Sequence, residues 1–270
     1  MSSPDPFSAD DIEAILRFHA DAGADELLAD QPIDRFAARA PSPTKKVNKA
    51  LPPSSGIMPS APKTAVIPNQ SVIEEAQQLA SQAKTLDELR NALADFDGCN
   101  LKGMARNLAF EGGNQLASLM IVGGAASRDD DASGIAFSGP DGILLKNMFA
   151  AIDVDVEKQA YMALCVPWAP PGGGPPTPIH LNILRPFIAR QIELANPQHL
   201  VILGNVAAKH LVDPNQMILK MRGNYFDLSF GTWKKPAMVM HEPAYLREQP
   251  SAKRVTWHDL LGFKKQLTQS

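Results

Sequence analysis

Hydrophobic positions in the second half of this chain form four short apolar runs, each of which predicts a buried strand. These runs are Leu119–Val122, Ala160–Val166, His199–Leu203 and Ala237–Met240. Stretches with helical spacing separate the runs, at residues 142–151, 182–195 and 206–212. Strands that alternate with helices are joined by right-handed crossovers into a mostly parallel sheet. We therefore predict an α/β fold with three α/β/α layers and a mostly parallel four-stranded central sheet.

The first third of the chain has a different pattern. Residues 1–37 carry apolar positions spaced as in one or two short amphipathic helices, which we interpret as an N-terminal helical arm. Residues 38–70 are rich in Pro, Ser, Ala and Lys and predict a disordered linker, because such a segment buries too little to offset its ordering entropy. Helical spacing resumes at Ser71, with Thr85 and Glu88 spaced as a capping box. Residues 71–270 form the third predicted domain.

Composition limits the class of protein. The chain has 270 residues, of which 44% are hydrophobic, which is enough for one sizeable core. No segment approaches 18 uninterrupted apolar residues, and the N-terminus lacks the apolar region of a secretory signal, so we expect no membrane partner. Cys99 and Cys165 form no CxxC motif and indicate a reducing compartment. We expect a cytoplasmic protein.

Loops of unusual composition follow the predicted strands. The loop after the first strand combines glycines, three consecutive carboxylates at Asp129–Asp131 and a lone Phe137. The loops after the second and fourth strands read PWAPPGGGPPTP and HEPAYLREQP. In open α/β sheets the ligand crevice lies outside the carboxyl ends of the strands, so these loops predict one shared cleft. Phe137 offers a flat face for a ring; the alternative is a buried Phe beside a solvated acidic turn.

The ordered set of these loops resembles the uracil-DNA glycosylase superfamily, most closely its family 4 type, from about residue 96 to residue 267. The shared pieces include NLAFEGGN at residues 107–114, the loop from Gly123 to Gly142, Pro167–Pro171 and the closing HEPAY. The N-terminal segment is also similar to the leader of alphaproteobacterial members. The resemblance implies base-excision repair with DNA, single- or double-stranded, as partner. In such repair a base is flipped into a pocket and its bond to the sugar is hydrolysed.

Several positions depart from the family's motifs. Gly124 stands where the family has a catalytic Glu, and Leu164 stands where an Asn reads the edge of the base. Leu164 offers no hydrogen bond. When the closing motif is aligned on its Pro-Ala-Tyr segment, the family's His falls on Glu242, and His241 stands one residue earlier. A one-residue bulge would return His241 to the site.

The resemblance assigns a set of candidate site residues. The catalytic positions are Gly124, Asp131 and His241, and the base-binding positions are Ala125, Phe137 and Leu164. The DNA-binding positions are Pro243, Ala244, Tyr245, Arg247, Lys253 and Arg254. The last two have an alternative role, which is to solvate the start of the final helix. Two functions stay open: a weakly active or inactive relative that binds DNA, and an active glycosylase for uracil or another damaged base.

The resemblance also bears on cofactors, since family 4 proteins hold a [4Fe–4S] cluster on four Cys thiolates. Here only Cys99 matches a ligand position, and the other three positions hold Phe96, Trp168 and Ile183. One thiolate cannot hold a cluster, so we predict no cofactor and no metal. We expect apolar packing of Phe96 and Trp168 in its place, and Cys165 as a small buried hydrophobe. A protein partner bound through the N-terminal arm is a further expectation.

Overall fold

The protein is represented by a computed structural model that describes residues 68–269. The predicted N-terminal arm, the expected partner contact through it and residues 38–67 of the predicted linker lie outside the described residues. The helices are α1 (Pro68–Gln82), α2 (Leu86–Asp95), α3 (Arg128–Ser133), α4 (Gly139–Ala150), α5 (Val156–Gln159), α6 (Pro178–Ala195), α7 (Gly204–Leu211), α8 (Ile218–Met221), α9 (Pro243–Glu248) and α10 (Lys253–Gln269). The strands are β1 (Gly112–Gly113), β2 (Leu119–Ala125), β3 (Ala160–Val166), β4 (His199–Leu203), β5 (Tyr225–Phe230) and β6 (Trp233–Met240).

The central sheet has the order β1-β3-β2-β4-β6-β5. Strands β3, β2, β4 and β6 are parallel neighbours, which confirms the four predicted strands and their direction. The predicted strand number was too low, because β1 and β5 add antiparallel edges beside β3 and β6. Strand β1 has two residues, and β5 alternates between exposed and half-buried positions. Neither edge strand forms an unbroken apolar run: β1 is too short for a pattern, and β5 carries only the alternation of Phe226, Leu228 and Phe230 with polar residues, which the prediction did not use.

Two hydrophobic clusters lie on opposite faces of the sheet and make the three layers. Met120 and Val122 of β2 belong to the larger cluster, which includes residues of α1, α2, α6 and α7. Leu119 and Ile121 of the same strand belong to the second cluster, with residues of α4 and α10 such as Phe263. Successive side chains of a strand point to opposite faces, so a continuous apolar strand serves both clusters. The predicted α/β/α arrangement is confirmed.

Helix boundaries follow local capping signals. The predicted helical stretch after Ser71 is two helices, and α1 begins at Pro68, inside the predicted linker. Thr85 caps α2, since its hydroxyl accepts a hydrogen bond from the Glu88 N–H at 3.1 Å. The Glu88 carboxylate accepts from the N–H of Lys84 rather than from that of Thr85. The other predicted helices correspond to α4, α6 and α7, whose starts lie two to four residues earlier than predicted.

The parallel strands present their carboxyl ends at one edge of the sheet. The loops after β2, β3, β4 and β6 therefore meet there, as the topology of an open α/β sheet requires. Among residues 68–269, none of the helices combines the length and apolar character that a membrane crossing demands. The fold thus places the sequence-predicted loops at a common edge.

Candidate functional site

A narrow cleft with a free volume of about 60 Å³ opens at this edge of the sheet. Its walls come from the loop after β2, the end of β3 and the start of α9. The lining residues are Gly123, Gly124, Ala125, Ser127, Asp130, Phe137, Asp141, Leu164, Glu242, Pro243 and Ala244. The cleft thus brings together six sequence-predicted positions, namely Gly124, Ala125, Phe137, Leu164, Pro243 and Ala244. The roles assigned to these six residues stay predictions.

Phe137 is held in an unusual backbone conformation at the cleft. Its φ is +58°, in the left-handed region that bulky side chains rarely occupy. The backbone of Gly142 packs directly on the Phe137 carbonyl, and any side chain at position 142 would overlap it. The tip of the Phe137 ring lies against Gly123 on β2, where a Cβ would stand 2.5 Å from the ring. Two glycines therefore allow a strained backbone to place an aromatic ring in the cleft.

Two of the three consecutive carboxylates, Asp130 and Asp131, have separate structural tasks. Asp130 is 4% exposed, and its Oδ1 accepts from the N–H and the hydroxyl of Ser138 at 2.6 and 2.9 Å. Its Oδ2 accepts from the Ser127 N–H at 2.8 Å, which completes a capping box for α3. The Asp130 carboxylate thus accepts three hydrogen bonds from Ser127 and Ser138, and these bonds fix the conformation of the loop.

Asp131, the predicted catalytic carboxylate, lies outside the cleft lining. Its Oδ1 accepts from the N–H groups of Arg106 and Asn107 at 2.8 and 3.4 Å. The side-chain amide of Asn107 donates to the Asp131 carbonyl at 2.7 Å. Asp131 thus ties α3 to the segment before β1, because its side chain leaves the helix on a different side from that of Asp130.

The positions of the family's Glu and Asn carry no polar side chain into the cleft. Gly124 lies beside Val206 of α7, whose Cβ would be 3.0 Å from a Cβ at position 124. Leu164 is 4% exposed and packs in a small apolar cluster with Ala126 and Ala136. At these two positions the cleft offers backbone and apolar surface only.

His241, the second predicted catalytic residue with a titratable side chain, is also outside the cleft lining. It is 2% exposed, and its ring stacks on Tyr245 with centroids 4.8 Å apart. Burial lowers the pKa of His241, and Arg222 lowers it further, whereas Asp259 opposes them. Strand β6 keeps a regular register with β4 up to Met240, so its paired part contains no bulge before His241.

Glu242 lines the cleft in place of His241. Gly204, at the start of α7 with φ +85°, makes room for it, since a Cβ there would overlap the Glu242 carboxylate. No hydrogen bond or ion pair to this carboxylate is formed by the residues between 68 and 269. Burial, together with the negative charges of Asp141 and Glu248, raises its pKa from 4.5 to about 7. The sequence did contain a signal that Glu242 belongs to the site, because alignment on the Pro-Ala-Tyr segment puts Glu242 at the family's His position.

The predicted DNA-binding residues beyond Ala244 lie outside the cleft lining. Arg247 of α9 donates to Asp141 Oδ1 at 2.6 Å, and this contact raises the pKa of Arg247. Lys253 and Arg254 are exposed in the first turn of α10. Arg247 therefore differs from Lys253 and Arg254, because its positive charge is neutralised by the Asp141 carboxylate of the cleft.

The positions that match cluster ligands lie in one apolar core. Phe96, Cys99, Trp168 and Ile183 are all at most 5% exposed and belong to the same buried cluster. Phe96 packs its ring on Phe187, with centroids 5.3 Å apart. Burial raises the pKa of the Cys99 thiol, and burial raises that of Cys165 to about 12. One protonated thiol beside a phenyl, an indole and an aliphatic side chain, none of which is a ligand for iron, does not fit a four-thiolate iron–sulfur cluster.

Comparison with known proteins identifies a family and several relatives that this chain resembles. A model of the uracil DNA glycosylase superfamily matches residues 110–261. The Type-4 uracil-DNA glycosylase of Thermotoga maritima is 30% identical over 165 residues, which are 60% of this chain and 84% of the relative. Those of Archaeoglobus fulgidus and Saccharolobus solfataricus are 26% and 24% identical, and the matches cover 67% and 68% of this chain and 92% and 87% of the relatives. The matched region contains every residue that lines the cleft.

Proposed function

Because this chain belongs to the uracil DNA glycosylase superfamily, we propose a uracil-DNA-glycosylase-like function in DNA repair. In this proposal the protein binds DNA, holds an extruded base in the cleft beside Phe137, and hydrolyses the glycosidic bond of uracil weakly or not at all. The observation that carries the proposal is the strained Phe137. Strain of this kind persists where the surrounding structure imposes it, and it concentrates at ligand sites.

Stacking explains why an aromatic ring is useful at this place. A base that has left the duplex stack regains part of its stacking energy on an aromatic side chain. Phe137 is half-buried and lies at the carboxyl edge of the parallel strands, where open α/β sheets bind ligands. A half-buried ring keeps an accessible surface, whereas a ring that only fills a core is enclosed.

Weak hydrolysis follows from the polar groups that reach the cleft. Glycosidic cleavage places positive charge on the sugar and negative charge on the leaving base, and both need preorganised partners. Gly124 and Leu164 offer none, and the Asp130 carboxylate is committed to Ser127 and Ser138. Loss of one such group typically lowers the rate by about two to three orders of magnitude. Several losses together support a protein that binds far better than it cleaves.

An active glycosylase is the second candidate, and Glu242 is the observation in its favour. This carboxyl group lines the cleft without a protein partner, and its pKa near 7 keeps both protonation states populated at neutral pH. A group in that range can serve as a general acid or base.

Two measurements test these proposals. Uracil release from single-stranded uracil DNA, followed over hours at high enzyme concentration, separates the weak or inactive protein from the active enzyme. Binding is measured by fluorescence anisotropy with a labelled oligonucleotide that carries a non-cleavable 2′-fluoro-2′-deoxyuridine. Phe137→Ala should weaken this binding about tenfold, the size expected for one stacked base.

The matched control is Phe226→Ala, since Phe226 is also half-buried but lies on the distant edge strand β5. We expect its affinity to equal that of the wild type. Equal affinity of Phe137→Ala and the wild type would contradict the proposed base site. Rapid uracil release by the wild type would establish the second candidate.

A further inference from the structure

We propose that the Glu242 carboxyl group reads the Watson–Crick edge of the base that the cleft holds. This inference rests on the proposed function, because it requires a base beside Phe137. It adds a specificity-determining residue at a position where the alignment gives the family's His.

The first argument is the difference between Glu242 and the other carboxylates of the cleft. Asp130 accepts three hydrogen bonds from its own loop, and Asp141 is paired with Arg247. Glu242 has neither kind of partner among the residues that the structure describes. The Glu242 carboxyl group is partly exposed at the cleft, so a ligand can hydrogen-bond to it without breaking a contact that the described residues make.

The second argument is the space that the fold gives this side chain. Gly204 adopts a positive φ and carries no Cβ, and the Glu242 carboxylate occupies the volume that a Cβ would fill. Pro243 and Ala244, the next two residues of the chain, line the same wall of the cleft as Glu242. The side chain is thereby positioned by residues from two loops.

The protonation state decides what this group can recognise. The charged groups that face it are Asp130 from α3, Asp141 from α4 and Glu248 from α9, with Arg247 bound to Asp141. Burial and the nearby negative charges of Asp141 and Glu248 favour the neutral acid, so the pKa lies at about 7. A neutral carboxyl group carries one O–H donor beside one carbonyl acceptor, the same pair that a carboxamide offers. The neutral Glu242 carboxyl group therefore supplies the hydrogen-bond donor and acceptor that the Leu164 side chain lacks.

A base that fits this pair must present a donor next to an acceptor. The ring N–H and adjacent carbonyl of uracil meet that requirement, and two parallel hydrogen bonds result. When Glu242 loses its proton it becomes acceptor-only, and the base carbonyl then faces a negative charge. Recognition of the edge should therefore weaken as the pH rises through about 7.

The experiment uses the full chain and two single-stranded oligonucleotides. One carries 2′-fluoro-2′-deoxyuridine, and the other carries its N3-methyl derivative, which stacks equally but lacks the ring N–H. Affinities are measured by anisotropy from pH 5.5 to pH 8.5 at constant ionic strength. The ratio of the two affinities reports the edge contact alone, because changes in general DNA binding cancel.

For the wild type we expect about a tenfold preference for the unmethylated base at pH 6, from two hydrogen bonds. The preference should be lost towards pH 8.5. Glu242→Gln keeps the donor and acceptor but does not titrate, so its preference should persist at every pH. Glu242→Leu removes both and should abolish the preference throughout. Gly204→Ala, which displaces the carboxylate, should reduce it.

A preference that survives in Glu242→Leu, or a pH dependence that survives in Glu242→Gln, would overturn the inference. In either case the wild type would still bind both oligonucleotides, and the proposed function would stand. Failure of the wild type to bind either oligonucleotide at any pH would instead remove the proposed function itself.

Discussion

Replacement of Glu242 by Gln should stabilise the folded protein above neutral pH and leave its stability nearly unchanged below pH 5. The pKa of Glu242 is raised from 4.5 to about 7 by burial and by the charges of Asp141 and Glu248. The folded state therefore holds the Glu242 proton more tightly than the unfolded state does. Stability from this group is complete below the unfolded pKa and is lost as the pH rises from about 4.5 to about 7.

The size of the effect follows from the shift. Each unit of pKa corresponds to about 1.4 kcal/mol, so the full penalty of the ionised carboxylate is about 3 kcal/mol. Glu242 is only partly withdrawn from solvent, which lowers the expected gain in Glu242→Gln to about 2 kcal/mol at pH 8. A cleft residue that destabilises the fold at working pH is typical of groups kept for binding or catalysis.

Urea unfolding followed by circular dichroism at pH 5 and pH 8 measures this difference. The matched control is Glu75→Gln, an exposed carboxylate on α1 that is far in sequence from every cleft residue. Its effect should be small and equal at the two pH values. If Glu242→Gln changes the unfolding free energy equally at both pH values, Glu242 does not titrate in this range, and the physical basis of its role in edge recognition is lost.

Three further predictions test the surroundings of the cleft. Joint replacement of Arg247, Lys253 and Arg254 by Ala should weaken single-stranded DNA binding and lower the slope of log affinity against log salt by about 1.4, from the two cations that no carboxylate neutralises, and an unchanged slope would place the DNA surface elsewhere. Protein purified without oxygen should be colourless, and a stoichiometric iron content with broad visible absorbance would contradict the donor-set argument. Asp131→Ala should lower the unfolding free energy by about 1 to 2 kcal/mol through the loss of its bonds to the N–H groups of Arg106 and Asn107. Loss of DNA binding in that variant, at unchanged stability, would instead favour a role in the cleft.

Much of the fold follows from hydrophobic pattern alone, for a physical reason. Strands buried on both faces, such as β2 and β3, form apolar runs: the sequence predicts β3 to the residue, and it predicts the start of β2 but ends that strand three residues early, where the apolar run meets two glycines. Edge strand β5 reads YFDLSF, in which polar and apolar residues alternate after Tyr225, and it pairs with a neighbour, β6, on one side only. Its pairing with β6 depends on the turn at Gly231, and no apolar run reports that pairing.

The site is harder to predict because neighbouring residues point in different directions. In the acidic loop the sequence favours Asp131, but the carboxylate that lines the cleft belongs to Asp130. In the closing motif it favours His241, but Glu242 occupies the cleft while His241 stacks on Tyr245. A motif fixes which residue types are close together, whereas a register of one residue decides which of two neighbours enters the cleft. The space for the Glu242 side chain depends further on Gly204, and its raised pKa depends in part on Asp141, and both residues come from other elements of the fold. A chemical group that needs three separate segments to create it leaves no local pattern in the sequence, and only the assembled sheet edge reveals it.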